Sequence, residues 1–108
     1  MMYVDFEAGN KAYKLRLNTK NTVALEKQLG GNPLSIFGDG SKLPSVSELV
    51  AVLWASLQQL NHGVSMNDAY DIFDAYLEDH VVTDFISVVV EIYKVSGIIE
   101  NEAQSEKN

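Results

Sequence analysis

Apolar and polar residues alternate in two short stretches near the start of the chain. Residues 2–8 and residues 12–17 each place every second side chain on an apolar side. A period of two residues is that of a half-buried strand, and the Gly9-Asn10 pair between the stretches favours a tight turn. The pattern therefore predicts a two-stranded β-hairpin over residues 2–17, which needs another part of the chain to cover its apolar face.

After residue 17 the apolar positions recur with the period of a helix. A first helix is expected to begin after Asn18 or Thr19 and to end at Gly30, where a left-handed residue terminates it. Its inward face is predicted to contain Val23, Ala24, Leu25 and Leu29. Asn32-Pro33 then starts a short helical turn, because proline suits the first helical position.

Three longer helices are predicted over residues 46–61, 66–79 and from about 79 or 80 to 96. The first two begin with a serine followed three residues later by an acid, which is the capping-box pattern. The helix over 46–61 is apolar around most of its circumference, so it is expected either to be central in the core or to carry an interface. The inward face of the helix over 66–79 is predicted to hold Met66, Ala69, Tyr70, Phe73, Tyr76 and Leu77.

The elements together predict a mostly α protein of the α+β class. It is expected to form one globular domain over residues 1–99, with a hairpin at 2–17 packed on a helical body at 19–99 that consists of about four helices plus a short helical turn. Gly97 with Ile98 is typical of a Schellman helix ending. Residues 100–108 are polar, and we expect them to form a disordered tail.

Charge divides the chain unevenly. The 108 residues carry 8 Lys or Arg and 15 Asp or Glu, a net charge of −7. Residues 1–44 contain six bases and four acids, whereas residues 45–108 contain two bases and eleven acids. A net negative charge repels nucleic-acid phosphate and anionic membrane surfaces, so neither is an expected partner.

Few residues are of the types that support catalysis or metal binding. The chain has no cysteine and two histidines, His62 and His80, in no metal-ligand spacing. It lacks a nucleophile elbow and a phosphate-binding glycine loop, so we expect no enzyme activity, no metal and no cofactor. No apolar run is long enough to span a membrane, and the start is unlike a signal peptide, which favours a cytoplasmic protein.

Two charged sets are interpreted as solvent-exposed faces. The acids Asp68, Asp71, Asp74 and Glu78 recur at helical spacing, unlike a calcium loop. The bases Lys11, Lys14, Arg16 and Lys20 gather around the second strand, where they form an exposed strand face and protect the hairpin edge from self-pairing.

The apolar surface exceeds what one small core needs. Two helices are apolar over most of their circumference, so part of that surface is expected to meet another protein chain, or a second copy of this one. The predicted partner-binding residues are Phe37, Val50, Trp54, Tyr70, Tyr76, Val90 and Tyr93.

The order of elements resembles a known family. Tyr13-Lys14-Leu15-Arg16-Leu17 leads into Thr19, Leu25-Glu26-x-x-Leu29-Gly30, Asn32-Pro33-Leu34 and Phe37, and acidic helices follow to Ser96-Gly97. Over residues 11–99 this arrangement is similar to the tail assembly chaperones of long-tailed bacteriophages. The resemblance implies a mostly helical protein of the host cytoplasm, of phage or prophage origin, that binds the tape-measure protein and helps recruit tail-tube subunits. It implies no catalytic residue.

Two other classes are compatible with a small acidic helical protein. The first is a stand-alone interaction module, such as an adaptor, an inhibitor or a nucleic-acid mimic, that would use the acid row from Asp68 to Glu78. The second is an acyl carrier, but the Asp-Ser-Leu attachment site is absent and the hairpin does not belong to that fold.

Overall fold

The computed structural model describes residues 1–101 of the chain. It contains an antiparallel hairpin, four α-helices and one short 3₁₀ helix, which confirms the predicted fold class. The elements are β1 (Val4–Ala8), β2 (Lys11–Leu15), α1 (Thr19–Leu29), the 3₁₀ helix (Pro33–Phe37), α2 (Val46–Leu57), α3 (Met66–Tyr76) and α4 (Asp84–Val95).

The hairpin is closed by a two-residue turn, with Ala8 opposite Lys11 and Val4 opposite Leu15. Gly9 takes a φ of 63°, which a glycine at the first central position of such a turn accommodates without strain. A Cβ on Gly9 would lie 3.5 Å from the Cβ of Ala75, so the turn also approaches α3 closely.

An aromatic cluster joins the hairpin to α3 and α4. The ring of Phe85 lies 5.6 Å from Phe6, 5.3 Å from Phe73 and 5.7 Å from Tyr76, in each case edge to face. These four side chains are buried, and the geometry is the one that aromatic quadrupoles prefer. The apolar face of the hairpin is therefore covered by the helical body, as its alternation requires.

The helix starts follow local hydrogen bonding. Ser45 accepts from the Glu48 N–H while the Glu48 carboxylate accepts from the Ser45 N–H, and Ser65 and Asp68 repeat this exchange. Both capping boxes were predicted. The hydrogen bonds from the Ser65 backbone and side chain lower the pKa of Asp68, because they favour its charged form.

Three helix boundaries differ from the prediction, and one of them is the end of α3, which lies at Tyr76 and not at Asp79. Helix α2 ends at Leu57 and not at Asn61, since the Gln58 N–H bonds the carbonyl of Ala55, three residues back. The Asn61 side chain donates to the Leu57 carbonyl at 3.0 Å and to the Lys14 carbonyl at 2.6 Å. Helix α4 begins at Asp84 and not near 79 or 80. The Asp84 carboxylate accepts from the Val81 N–H at 3.0 Å, which holds the preceding β-branched segment in a turn.

The end of α4 has the predicted Schellman geometry. The Ile98 N–H donates to the Tyr93 carbonyl at 2.9 Å and the Gly97 N–H to the Lys94 carbonyl at 3.2 Å, with Gly97 at a φ of 78°. The tail predicted over residues 100–108 falls largely outside the described residues, since 102–108 are not described.

Candidate functional site

The seven residues predicted to bind a partner do not form one surface. Tyr70 is the most accessible, with 51% of its surface exposed. Phe37, Trp54 and Val90 are half-buried, whereas Val50, Tyr76 and Tyr93 are buried. The last three are core residues, and the interpretation of Tyr76 and Tyr93 as surface contacts is corrected by this burial.

Tyr93 ties two distant segments together inside the core. Its hydroxyl donates to the Pro33 carbonyl at 2.8 Å, and its ring meets Phe37 edge to face with centroids 6.4 Å apart. Burial, followed by the nearby Glu48 carboxylate, raises the pKa of Tyr93. The hydroxyl therefore acts as a neutral donor that fixes the 3₁₀ helix on α4.

Tyr76 is likewise part of the packing. Its ring stacks on the His80 imidazole with centroids 4.2 Å apart and lies 5.1 Å from Phe6. Burial raises the pKa of Tyr76, and the Asp84 carboxylate adds to the shift. Tyr76 thus packs the carboxyl-terminal end of α3 against the hairpin.

Tyr70 and Val50 both line a surface groove between the starts of α2 and α3. This α2–α3 groove has a volume of about 440 Å³. Its lining residues come from α1, from the segment before α2, and from α2 and α3: Gln28, Leu29, Lys42, Ser45, Ser47, Glu48, Val50, Ala51, Met66 and Tyr70.

The groove has an apolar floor and a polar rim. Val50 and Ala51 are buried beneath it, and the half-buried Met66 and the exposed Tyr70 stand on its α3 side. On the α2 side the Glu48 carboxylate is held by the capping box and lies 4.0 Å from the Lys42 ammonium. Such a lining suits the apolar stripe of a helix, and a methionine beside an aromatic ring adapts to varied side chains.

A second groove lies between the hairpin turn and α3. Its volume is about 580 Å³, and it contains none of the seven predicted residues. The lining residues are Ala8, Gly9, Asn10, Lys11, Tyr13, His62, Gly63, Val64, Asp68, Asp71, Ile72 and Ala75. Asp68 is already engaged in the α3 capping box, so its carboxylate is not available as an unpaired group there.

Within residues 1–101, no three His, Cys, Asp or Glu side chains lie together in a way that would hold a metal ion. In the same range no helix is both long and apolar enough to cross a lipid bilayer.

The predicted basic strand face is partly wrong. Arg16 does not lie on an exposed face: its guanidinium donates to the Val95 carbonyl at 2.6 Å and to the Met2 carbonyl at 3.1 Å. A cation at the carboxyl end of a helix is stabilised by the helix dipole. Lys14 remains exposed, with its ammonium 5.0 Å from the centre of the Tyr3 ring.

The apolar periodicity misplaced several side chains around the helix axes. Helix α3 buries Ala69, Phe73 and Tyr76 as predicted, but it exposes Tyr70 and buries Ile72, which the prediction left out. Val23 of α1 is 44% exposed. Met66 stands beside Tyr70 one helical turn away and was assigned to the core. The spacing of Met66 and Tyr70 four residues apart is the signal that places both on one flank of α3.

The fold and groove define a small hairpin-and-helix protein with an open groove between two helix starts, lined by polar and apolar residues alike. The chain belongs to a family of unknown function, DUF6096, whose model matches residues 4–107. No curated protein and no solved structure matches it.

Proposed function

We propose that this protein is a bacteriophage tail assembly chaperone. In this role it binds the tape-measure protein in the host cytoplasm and helps to recruit tail-tube subunits around it. The proposal rests on the resemblance of residues 11–99 to that family and on the surface of α2 and α3. The protein acts by reversible binding and has no catalytic role.

The observation that carries the proposal is the exposed Tyr70 beside Met66 above an apolar floor. A tape-measure protein exposes apolar stripes on long helices until the tube covers them, and a groove with an apolar floor and polar rim receives such a stripe. Leu29 of α1 closes one side of the α2–α3 groove. A single helix lying between α1 and α3 would cover the exposed ring of Tyr70.

Charge supports reversible binding. Asp71, Asp74 and Glu78 are exposed along α3, and within residues 1–101 none of the three has an oppositely charged side chain within 4.0 Å. Like charges on two copies repel one another, so this face limits self-association while the groove stays open. Tape-measure helices would be held through apolar contact and released without breaking buried ion pairs.

The direct test is a pull-down of the tape-measure protein encoded in the same gene cluster, at about 0.15 M and about 1 M salt. The Debye screening length falls from about 8 Å to about 3 Å between these two salt concentrations. A complex held by apolar contacts therefore persists at about 1 M salt, whereas one held by ion pairs weakens. Retention of the tape-measure protein at both salt concentrations supports the proposal. If the tape-measure protein is not retained at one or both of these concentrations, the proposal is contradicted.

The competing function is an acidic interaction module that uses the acid row of α3. Its residues Asp71, Asp74 and Glu78 are accessible, but Asp68 is occupied by its bonds to Ser65. This module would bind a basic partner through charge, so its complex would be lost at about 1 M salt. The two salt concentrations therefore distinguish the two functions.

A further inference from the structure

The two outer edges of the hairpin differ. On the β2 side, the Lys14 N–H donates to the Asn61 side-chain oxygen at 3.4 Å, and the Asn61 amide donates to the Lys14 carbonyl at 2.6 Å. Two residues further on, the Arg16 N–H donates to the Ser56 carbonyl at 3.0 Å. The end of α2 thus blocks this edge to any further strand.

The register identifies the groups on the β1 edge. In an antiparallel pair, residues opposite each other alternate between bonding across the pair and pointing away from it. The backbone groups of Lys14 point away from β1, since they bond the Asn61 side chain. Asp5 is the residue opposite Lys14 on β1. The backbone N–H and C=O groups of Asp5, and of Glu7 two residues later, therefore point outward from β1.

These outward groups are open. Within residues 1–101, the backbone groups of Asp5 and Glu7 have no hydrogen-bond partner beyond the hairpin. Phe6 and Ala8 are buried on the helical body, which holds β1 in an extended conformation. Four backbone groups in a fixed, extended geometry form a template for one more strand.

The side chains at this edge favour one kind of strand. Asp5 and Glu7 are both exposed and lie on the same face, since side chains two positions apart share a face. A second copy of β1 would bring carboxylates against carboxylates, which is unfavourable. A basic strand would instead place cations beside both carboxylates.

We propose that the outer edge of β1 binds an extended segment of a partner protein by strand addition, and that this segment carries Lys or Arg at alternate positions. Main-chain hydrogen bonds to Asp5 and Glu7 provide the binding, and the two carboxylates select the basic face. This surface is separate from the α2–α3 groove, so it does not depend on the function proposed above.

The test uses two blocked pentapeptides, Thr-Lys-Val-Lys-Thr and Thr-Glu-Val-Glu-Thr, titrated into the full-length protein and followed by amide hydrogen exchange. We expect the basic peptide to slow exchange at the Asp5 and Glu7 amides about tenfold, since each gains a hydrogen bond. The acidic peptide should leave both amides unchanged. Equal protection by the two peptides, or none by the basic one, overturns the proposal.

A pair of proline variants locates the edge. Glu7→Pro removes an outward N–H from β1, and Ala12→Pro removes the outward N–H of the residue opposite it on β2. Proline is tolerated on edge strands, so both should keep the fold, which circular dichroism checks. Glu7→Pro should weaken peptide binding at least about tenfold and Ala12→Pro should not. The reverse order contradicts the assignment.

A second pair of variants tests the charges without disturbing the backbone. Asp5→Asn combined with Glu7→Gln should weaken the basic peptide about fivefold, as expected for two exposed cross-strand charge pairs. Asp71→Asn combined with Asp74→Asn makes the same change in net charge on α3 and should have little effect. An equal loss in both double variants would mean that overall charge, and not the β1 edge, attracts the peptide.

Discussion

The junction of α4 with the hairpin and the 3₁₀ helix differs from the α2–α3 groove in how far its side chains are buried. At the junction, the aromatic rings are buried and distant polar groups pair: Tyr93 with Pro33 and Arg16 with Val95. At the groove, Tyr70 stays half-exposed above an apolar floor. The first region buries its side chains, whereas the second leaves the ring of Tyr70 exposed to solvent.

This difference separates two kinds of mutational effect. A change at the junction removes packing or leaves a buried polar group unpaired, and both lower the free energy of unfolding. A change at the exposed Tyr70 ring removes apolar surface that the free protein leaves open to solvent. If the comparison is right, stability and partner binding can be altered independently.

The largest effect is expected from Phe85→Ala. The Phe85 side chain is fully buried and meets three other rings, so its truncation leaves a cavity in the aromatic cluster. The free energy of unfolding should fall by about 3–5 kcal/mol, measured by urea denaturation. A loss below about 1 kcal/mol would show that the junction is not the main source of stability.

Tyr93→Phe should have the next largest effect. The variant keeps the ring but leaves the Pro33 carbonyl without its buried donor, at a cost of about 1–2 kcal/mol near neutral pH. Urea denaturation of both proteins measures this difference.

The same variant has a signature in pH. The pKa of Tyr93 is raised by burial, so the folded chain retains a proton that the unfolded chain releases above pH 10. The stabilisation is fully present below pH 10 and declines as the pH rises further. Wild-type stability should therefore fall more steeply than that of Tyr93→Phe between about pH 10 and 12. Parallel curves would contradict the role of the hydroxyl.

Arg16→Met is expected to cost about 1 kcal/mol, because it removes a charged donor from the carboxyl end of α4 while keeping an apolar stem of similar length. Lys14→Met, two residues earlier in β2, is the matched control, since the Lys14 ammonium only approaches the Tyr3 ring. Thermal unfolding compares the two. If both variants lose the same stability, the contact of Arg16 with α4 contributes nothing specific.

Features that depend on neighbouring residues were predictable from the sequence. The capping boxes at Ser45 and Ser65 and the Schellman ending at Gly97 each involve residues within a few positions, so local residue types determine them. The hairpin followed from alternation around Gly9. These features suffice to predict the fold class.

Features that depend on distant contacts were not predictable. Arg16 bonds a carbonyl 79 positions away, and nothing around it in the sequence indicates this. The orientation of α3, which buries Ile72 and exposes Tyr70, is set by the elements on which the helix packs. Apolar spacing identifies a helix but locates its buried face only approximately, and so the groove could not be located beforehand.

Tyr70→Ser is expected to have the smallest effect on stability, and it tests the proposed binding surface most directly. Its unfolding free energy should stay within about 0.5 kcal/mol of the wild type, because the ring is exposed. Affinity for the tape-measure protein, measured by titration calorimetry, should fall at least about tenfold, since aromatic residues dominate such interfaces. Tyr3→Ser, at an exposed tyrosine outside the groove, should bind normally. Unchanged affinity in Tyr70→Ser would contradict the claim that the α2–α3 groove is the binding surface.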